Sequence, residues 1–268
     1  MNWRIGFSSG ERRLHVRFAA IMLAAIAFAT LASGQSFSAW SQAVSVGTVV
    51  NSTGYDACPF ISKNGLDLYF RSNRAGQGRF DIYVSHRDSQ DDPWEAPVNL
   101  GPAINGPYNQ YCSVVSNDGH WLYFVSDRPG CGGLDIWVAH RQNKRDDQGW
   151  ETPKNLGCNV NSAWNDNGPN LLEDDAGGQS VLYFSSNRPG GPGGVDIYSS
   201  PMYDKDSFGP PSLVPGLNTS ATEQQPTLSK NGLEIIFVSN RAGGSGGADL
   251  WVATRATVYA PWSLPVNL

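Results

Sequence analysis

The stretch "SNRPGGPGGVDIYSS" (186–200) shares its plan with "SNRAGQGRFDIYVS" (72–85), "SDRPGCGGLDIWVA" (126–139) and "SNRAGGSGGADLWVA" (239–253). A plan repeated in this way constrains the fold more than any other feature, because each copy must be one supersecondary unit that stacks on the next. The anchoring arginines Arg74, Arg128, Arg188 and Arg241 are 54, 60 and 53 residues apart. Each follows an apolar pair: Tyr69-Phe70, Tyr123-Phe124, Tyr183-Phe184 or Ile236-Phe237. The glycine-rich run does not read as a phosphate cradle, which leads from a strand into a helix. Here Asp196-Ile197-Tyr198 opens another strand.

Within a unit four short strands are expected, as in "PFIS" (59–62), "LDLYFRS" (66–72), "DIYVS" (81–85) and "WEAPVNL" (94–100). The first two are joined by "KNG", "NDG" and "KNG" in units one, two and four, and Asn-Gly or Asp-Gly between apolar runs is a strong hairpin signal. Unit three departs with "EDDAGGQS" (173–180). After the first forty residues no segment carries apolar residues at helical spacing over ten positions, so the chain reads as all-β. A series of four-stranded antiparallel units suits radial stacking into a β-propeller. Four blades are expected, over about 55–100, 108–156, 166–214 and 223–268, in a propeller spanning 40–268. Trp94, Trp150, Phe208 and Trp262 are expected on the outer strands. Trp40 lies 54 residues before Trp94, so an outer-strand pattern stands at both ends. Either four blades carry a spare strand, or the chain is part of a larger ring.

The pattern P-x-x-S-x-x-G-x-x-x-x-Y-F-x-S-x-R, D-I-Y and W-x-x-P-x-N-L resembles the WD-like repeat of the TolB-type propeller family over residues 40–268. The resemblance implies an envelope partner, a protein or a cell-envelope polysaccharide.

The first thirty-four residues read as a secretory signal: Arg4, Arg12, Arg13 and Arg17 precede the apolar run "FAAIMLAAIAFATL" (18–31). That run is shorter than the ~20 residues a membrane-spanning helix needs. Gln35 stands where a lipoprotein would carry its cysteine. Periplasmic or extracellular localisation follows as an expectation. Without residues 1–34 the chain keeps 15 basic and 23 acidic residues, a net charge of −8. Such a balance argues against nucleic acid and anionic lipid as partners.

An even cysteine count in an oxidising compartment points to disulfides. Cys58 and Cys112 occupy the same repeat position, while Cys131 and Cys158 lie in loops on one face; Cys58–Cys112 and Cys131–Cys158 are the expected pairs. The repeated pairs Arg74/Asp81, Arg128/Asp135, Arg188/Asp196 and Arg241/Asp249 read as structural, closing each hairpin or tying it to the next blade. His86 and His140 follow "DIYVS" and "DIWVA" as strand-end residues rather than metal ligands. Glu173-Asp174-Asp175 reads as a solvated loop, and no metal, cofactor or catalytic residue set is implied.

The connections between units place an asparagine and, five residues on, a polar or acidic group: Asn51/Asp56, Asn105/Gln110, Asn161/Asp166 and Asn218/Glu223. With Tyr55, Tyr108 and Trp164 just before these groups, a ligand site at the channel mouth is expected from Tyr55, Asp56, Tyr108, Gln110, Trp164, Asp166 and Glu223. Aromatic faces beside carboxylates and amides suit a sugar or polar peptide, whereas the asparagines suit turns. The expected function is that of a non-catalytic periplasmic or secreted binding protein that uses one propeller face; the alternative is a glycan-active hydrolase or lyase, which needs two carboxylates at the scissile bond.

Overall fold

The computed structural model describes residues 42–74, 80–173 and 178–268. The expected signal segment and Trp40 lie outside these residues. The blades belong to one compact unit, Ala43–Leu268.

Blade 1 contains β1 (Asp56–Ile61), β2 (Asp67–Ser72), β3 (Asp81–His86) and β4 (Val98–Asn99). Blade 2 contains β5 (Gln110–Val115), β6 (Trp121–Ser126), β7 (Asp135–His140) and β8 (Lys154–Asn155). Blade 3 contains β9 (Asp166–Leu172), β10 (Ser180–Ser186), β11 (Asp196–Asp204), β12 (Ser207–Phe208) and β13 (Ser212–Leu213). Blade 4 contains β14 (Glu223–Leu228), β15 (Glu234–Ser239), β16 (Asp249–Thr254) and β17 (Val266–Asn267). Each sheet runs antiparallel in chain order from the channel outward, and together they make a four-bladed β-propeller.

The outer strands are only two residues long, not the seven of "WEAPVNL". Pro97, just before Val98, has no N–H to extend the ladder. Trp94 is held by its face instead: the Arg87 guanidinium lies 4.3 Å from the ring centroid, as Arg141 does over Trp150 and Arg255, at 4.2 Å, over Trp262. Phe208, expected on an outer strand, belongs to the added β12, where it pairs with Met202. The outer position falls to β13, where Leu213 faces Tyr198 as Asn99 faces Tyr83 in blade 1.

The inner strands carry a register shift, at Ala57/Phe60 in β1 and Gln224/Thr227 in β14. Cys58 (φ 53°), Gly168 (φ 61°) and Gln225 (φ 54°) take left-handed backbone there, and Pro59, Pro169 and Pro226 follow them. A bulge tolerates proline because the ladder is already broken at that point.

Blades pack through alternating faces. Tyr69, Ile82 and Val84 of blade 1 meet Leu122, Phe124 and Ala139 of blade 2. Tyr123, Ile136 and Val138 meet Leu182, Phe184 and Tyr198. Tyr183 and Ile197 meet Ile235, Phe237 and Trp251. Strand β5 packs on β1, β9 on β5 and β14 on β9, but β14 does not pack on β1. Leu250 shows the consequence: it is 50% exposed, whereas Ile82, Ile136 and Ile197 at the same repeat position are 0% exposed.

Candidate functional site: the channel mouth

All four inner strands start at one end of the channel, so the residues preceding them form a single rim. The exposed layer of that rim is aromatic: Tyr55, Tyr108 and Trp164 are 55%, 38% and 47% exposed. Beneath it lie Asp56, Gln110, Asp166 and Glu223, the last three fully buried. The expected site residues thus share one rim, but their polar members face the protein.

The acidic groups are held by the connections that deliver the chain to each blade. Ser52 donates to Asp56 Oδ2 through its N–H (2.6 Å) and hydroxyl (2.8 Å), Ser162 treats Asp166 in the same way, and Thr219 does so for Glu223. A repeated arginine supplies the counter-charge: Arg74 Nη2 to Asp56 at 2.8 Å, Arg188 Nη2 to Asp166 at 2.5 Å and Arg241 Nη2 to Glu223 at 3.1 Å. Burial opposes ionisation of Asp56, but hydrogen bonds from Ser72, Arg74 and Ser52 outweigh it and bring its pKa down to about 2. Each repeated arginine also donates Nε to the serine two residues before it and Nη2 to a connection carbonyl, of Val50, Ile104, Val160 or Leu217. Its guanidinium lies between two rings with centroids 4.9 to 5.3 Å away.

This geometry corrects the expected pairing of Arg74 with Asp81, Arg128 with Asp135, Arg188 with Asp196 and Arg241 with Asp249. The arginines tie each blade to its connection, while the aspartates hold their own surroundings. Asp135 accepts from the N–H groups of Cys131 and Gly132, Asp196 from Gly193 and Asp249 from Gly246, and Asp81 accepts from Asn99 at 3.1 Å. The glycines follow from this: a Cβ at Gly130, Gly191 or Gly244 would sit 1.9 to 2.1 Å from the carboxylate of Asp135, Asp196 or Asp249. Burial pushes the Asp196 pKa up, the Gly193 N–H opposes this and the Glu223 charge adds to it.

Asn105, Asn161 and Asn218 each bond both backbone groups of one isoleucine, Ile82, Ile136 or Ile197, whereas Asn51 donates to Ser45 Oγ. Cys58 is bonded to Cys112 and Cys131 to Cys158. Glu173 is bonded to Lys205 and to the Asn117 N–H, while Asp174 and Asp175 lie outside the described residues. His140 contacts Glu151 at 3.0 Å. His86 bridges Asp67 (2.8 Å) and Asp147 (2.9 Å).

Two features of the rim were not anticipated. A cavity of about 560 Å³ fills the channel, lined by Phe60, Val114, Leu171 and Thr227 and reaching Val238 and Leu250 of blade 4. At the seam between blades 1 and 2, the Arg71 guanidinium lies over the rings of Tyr55, Phe80 and Tyr111, 5.0 to 5.4 Å from their centroids. The signal for Arg71 was its singularity, since the same repeat position holds Val125, Ser185 and Val238.

No family model and no curated protein matches the chain. Solved structures do. TolB from Acinetobacter baumannii aligns with TM-score 0.52 and 15% identity over 82% of this chain; the chain spans only 46% of that one. An endo-arabinase from Bacteroides thetaiotaomicron aligns with TM-score 0.52 and 18% identity, over 79% of this chain and 80% of the other. The Bacteroides ovatus protein "Xyloglucan PUL GH43B" aligns with TM-score 0.51 and 16% identity, over 81% and 42%. At such identities the likeness carries the propeller fold. Glycan-active enzymes stand beside TolB among these neighbours, which overturns the expectation of a non-catalytic binding protein.

Proposed function

We propose that this protein is a glycan hydrolase that holds a polysaccharide across the channel mouth. The supporting observation is the exposed aromatic rim of Tyr55, Tyr108 and Trp164 over a ring of carboxylates, on a propeller shared with an endo-arabinase. Flat aromatic faces take the apolar faces of sugar rings. Glycoside cleavage needs two carboxyl groups; the rim holds Asp56, which is part-exposed, and Asp166 and Glu223, which lie buried against their arginines until substrate opens that layer. Asp56, held ionised, suits the role of charge stabiliser. The repeat relates the chain to TolB-type propellers, and export to the periplasm or the exterior would bring it to envelope or environmental polysaccharide.

The test is release of reducing ends from arabinan and xyloglucan. Tyr55→Ala and Trp164→Ala should each weaken glycan binding by ~1–3 kcal/mol with the melting temperature nearly unchanged. At least one of Asp56→Asn, Asp166→Asn and Glu223→Gln should lower release by ~100-fold or more while the protein stays folded. Undiminished release in all three variants, or none from the wild type on any glycan, overturns the proposal.

A further inference from the structure

We infer that the seam between blades 1 and 2 is a binding site for the carboxylate of an acidic sugar, a uronate, within the glycan. The inference rests on the glycan reading above and specifies its substrate class. The repeat supplies its own control. In blades 1, 3 and 4 the anchoring arginine meets a carboxylate within 3.1 Å; in blade 2 that position is Gln110, and Arg128 Nη2 donates only to the Ile104 carbonyl at 2.7 Å. Gln110 is fully buried and both of its side-chain polar atoms lack a partner. The serine or threonine that holds the carboxylate elsewhere is Gly106 here, where a Cβ would find its nearest neighbour, the Pro102 carbonyl oxygen, 3.9 Å away.

Arg71 brings a second cation to the same seam. Its Nε is buried without a partner, and its guanidinium rests on Tyr55, Phe80 and Tyr111. The Phe80 carbonyl accepts the Gln110 N–H at 2.8 Å, which joins the two groups. Among the described residues neither Arg71 nor Arg128 has a carboxylate within ion-pair distance. The nearby Asp127 is occupied by the Asn109 N–H and side-chain amide, at 2.8 and 2.6 Å. Two guanidinium groups without a carboxylate partner, an amide without a partner and exposed Tyr55 and Tyr108 combine the features that a sugar ring bearing a carboxylate requires.

The experiment is calorimetric titration of the mature chain with trigalacturonate, its fully methyl-esterified form and sodium acetate. Trigalacturonate should bind at least tenfold more tightly than the ester or acetate, with an affinity that falls as salt rises. Gln110→Glu restores the carboxylate found in the other blades; it should keep or raise the melting temperature while lowering trigalacturonate affinity at least tenfold. Arg71→Gln should lower it similarly. Equal binding of acid and ester, acetate binding as tight as trigalacturonate, no trigalacturonate binding, or unchanged affinity in Gln110→Glu each overturns the inference. Cleavage is scored separately: hydrolysis of neutral arabinan without preference for the acid sinks only this inference, while trigalacturonate binding without cleavage of any glycan sinks only the hydrolase proposal.

Discussion

Asp166 is fully buried and its Oδ1 accepts from Arg188 Nη2 at 2.5 Å, so the start of β9 is locked by an ion pair to the hairpin that follows β10. Removing one member strands the other charge, which costs far more than a surface pair is worth. Asp166→Ala should therefore lower stability by ~3–5 kcal/mol in a denaturant titration. Exchanging the exposed pair Lys154–Asp206, at 3.3 Å, for alanines should change it by ~1 kcal/mol or less.

Gly191 lies against the Asp196 carboxylate, with no room for a Cβ, whereas Gly247 has nothing within 4 Å. Gly191→Ala should lower stability by ~1–3 kcal/mol through loss of the hairpin hydrogen bonds, and Gly247→Ala should be within ~0.5 kcal/mol of wild type. Thermal unfolding of both variants side by side checks the contrast.

Hydrogen bonds that His86 donates to Asp147 and Asp67 raise its pKa to about 10 against the opposing effect of burial. A raised pKa means that the folded state holds the proton more tightly. Its stabilisation is therefore complete below about pH 6.5 and disappears as pH rises through about 10. Because the pair is about one-third exposed, solvent screening limits the effect to ~1 kcal/mol. Unfolding free energy measured from pH 6 to 10 should fall less steeply in His86→Gln than in wild type.

The Cys58–Cys112 bond links the inner strands of blades 1 and 2 across 54 residues of sequence. Opening it enlarges the unfolded ensemble, so Cys58→Ser/Cys112→Ser should lower stability by ~2–4 kcal/mol. Reductant, which opens Cys131–Cys158 as well, should cause at least this loss in the wild type, and an equal melting temperature with and without reductant would count against the linkage.

The architecture was legible because the repeat states it four times, and strands bounded by Asn-Gly and glycine-rich turns leave few alternatives. The partners of the repeated arginine were not. Arg188 and Asp196 are near in sequence, but the arginine's reach takes it to Asp166, which a connection brings back from the preceding blade boundary. The depth of the carboxylates was also hidden: Asp166 looks like a mouth residue beside Trp164, yet Asp166 opens β9 and is enclosed by Ser162 and Arg188, while Trp164 precedes the strand and stays exposed. Arg71 was overlooked because a search for repeated residues passes over a residue that occurs once.

Among the described residues the face of blade 4 around Leu250 rests on no other blade, and that changes what kind of object the channel is. A closed hoop fixes its own diameter, since widening it at one place requires narrowing at another. An arc has no such constraint, and small rotations at the three packed boundaries add up at its ends. Across the opening, Lys230 Nζ donates to the Lys63 carbonyl at 2.6 Å and the Gln225 amide lies 4.0 Å from Cys58 Sγ. Among the described residues, polar contacts such as these join the two ends, like a clasp on a bracelet, where stacked sheets join the other blades.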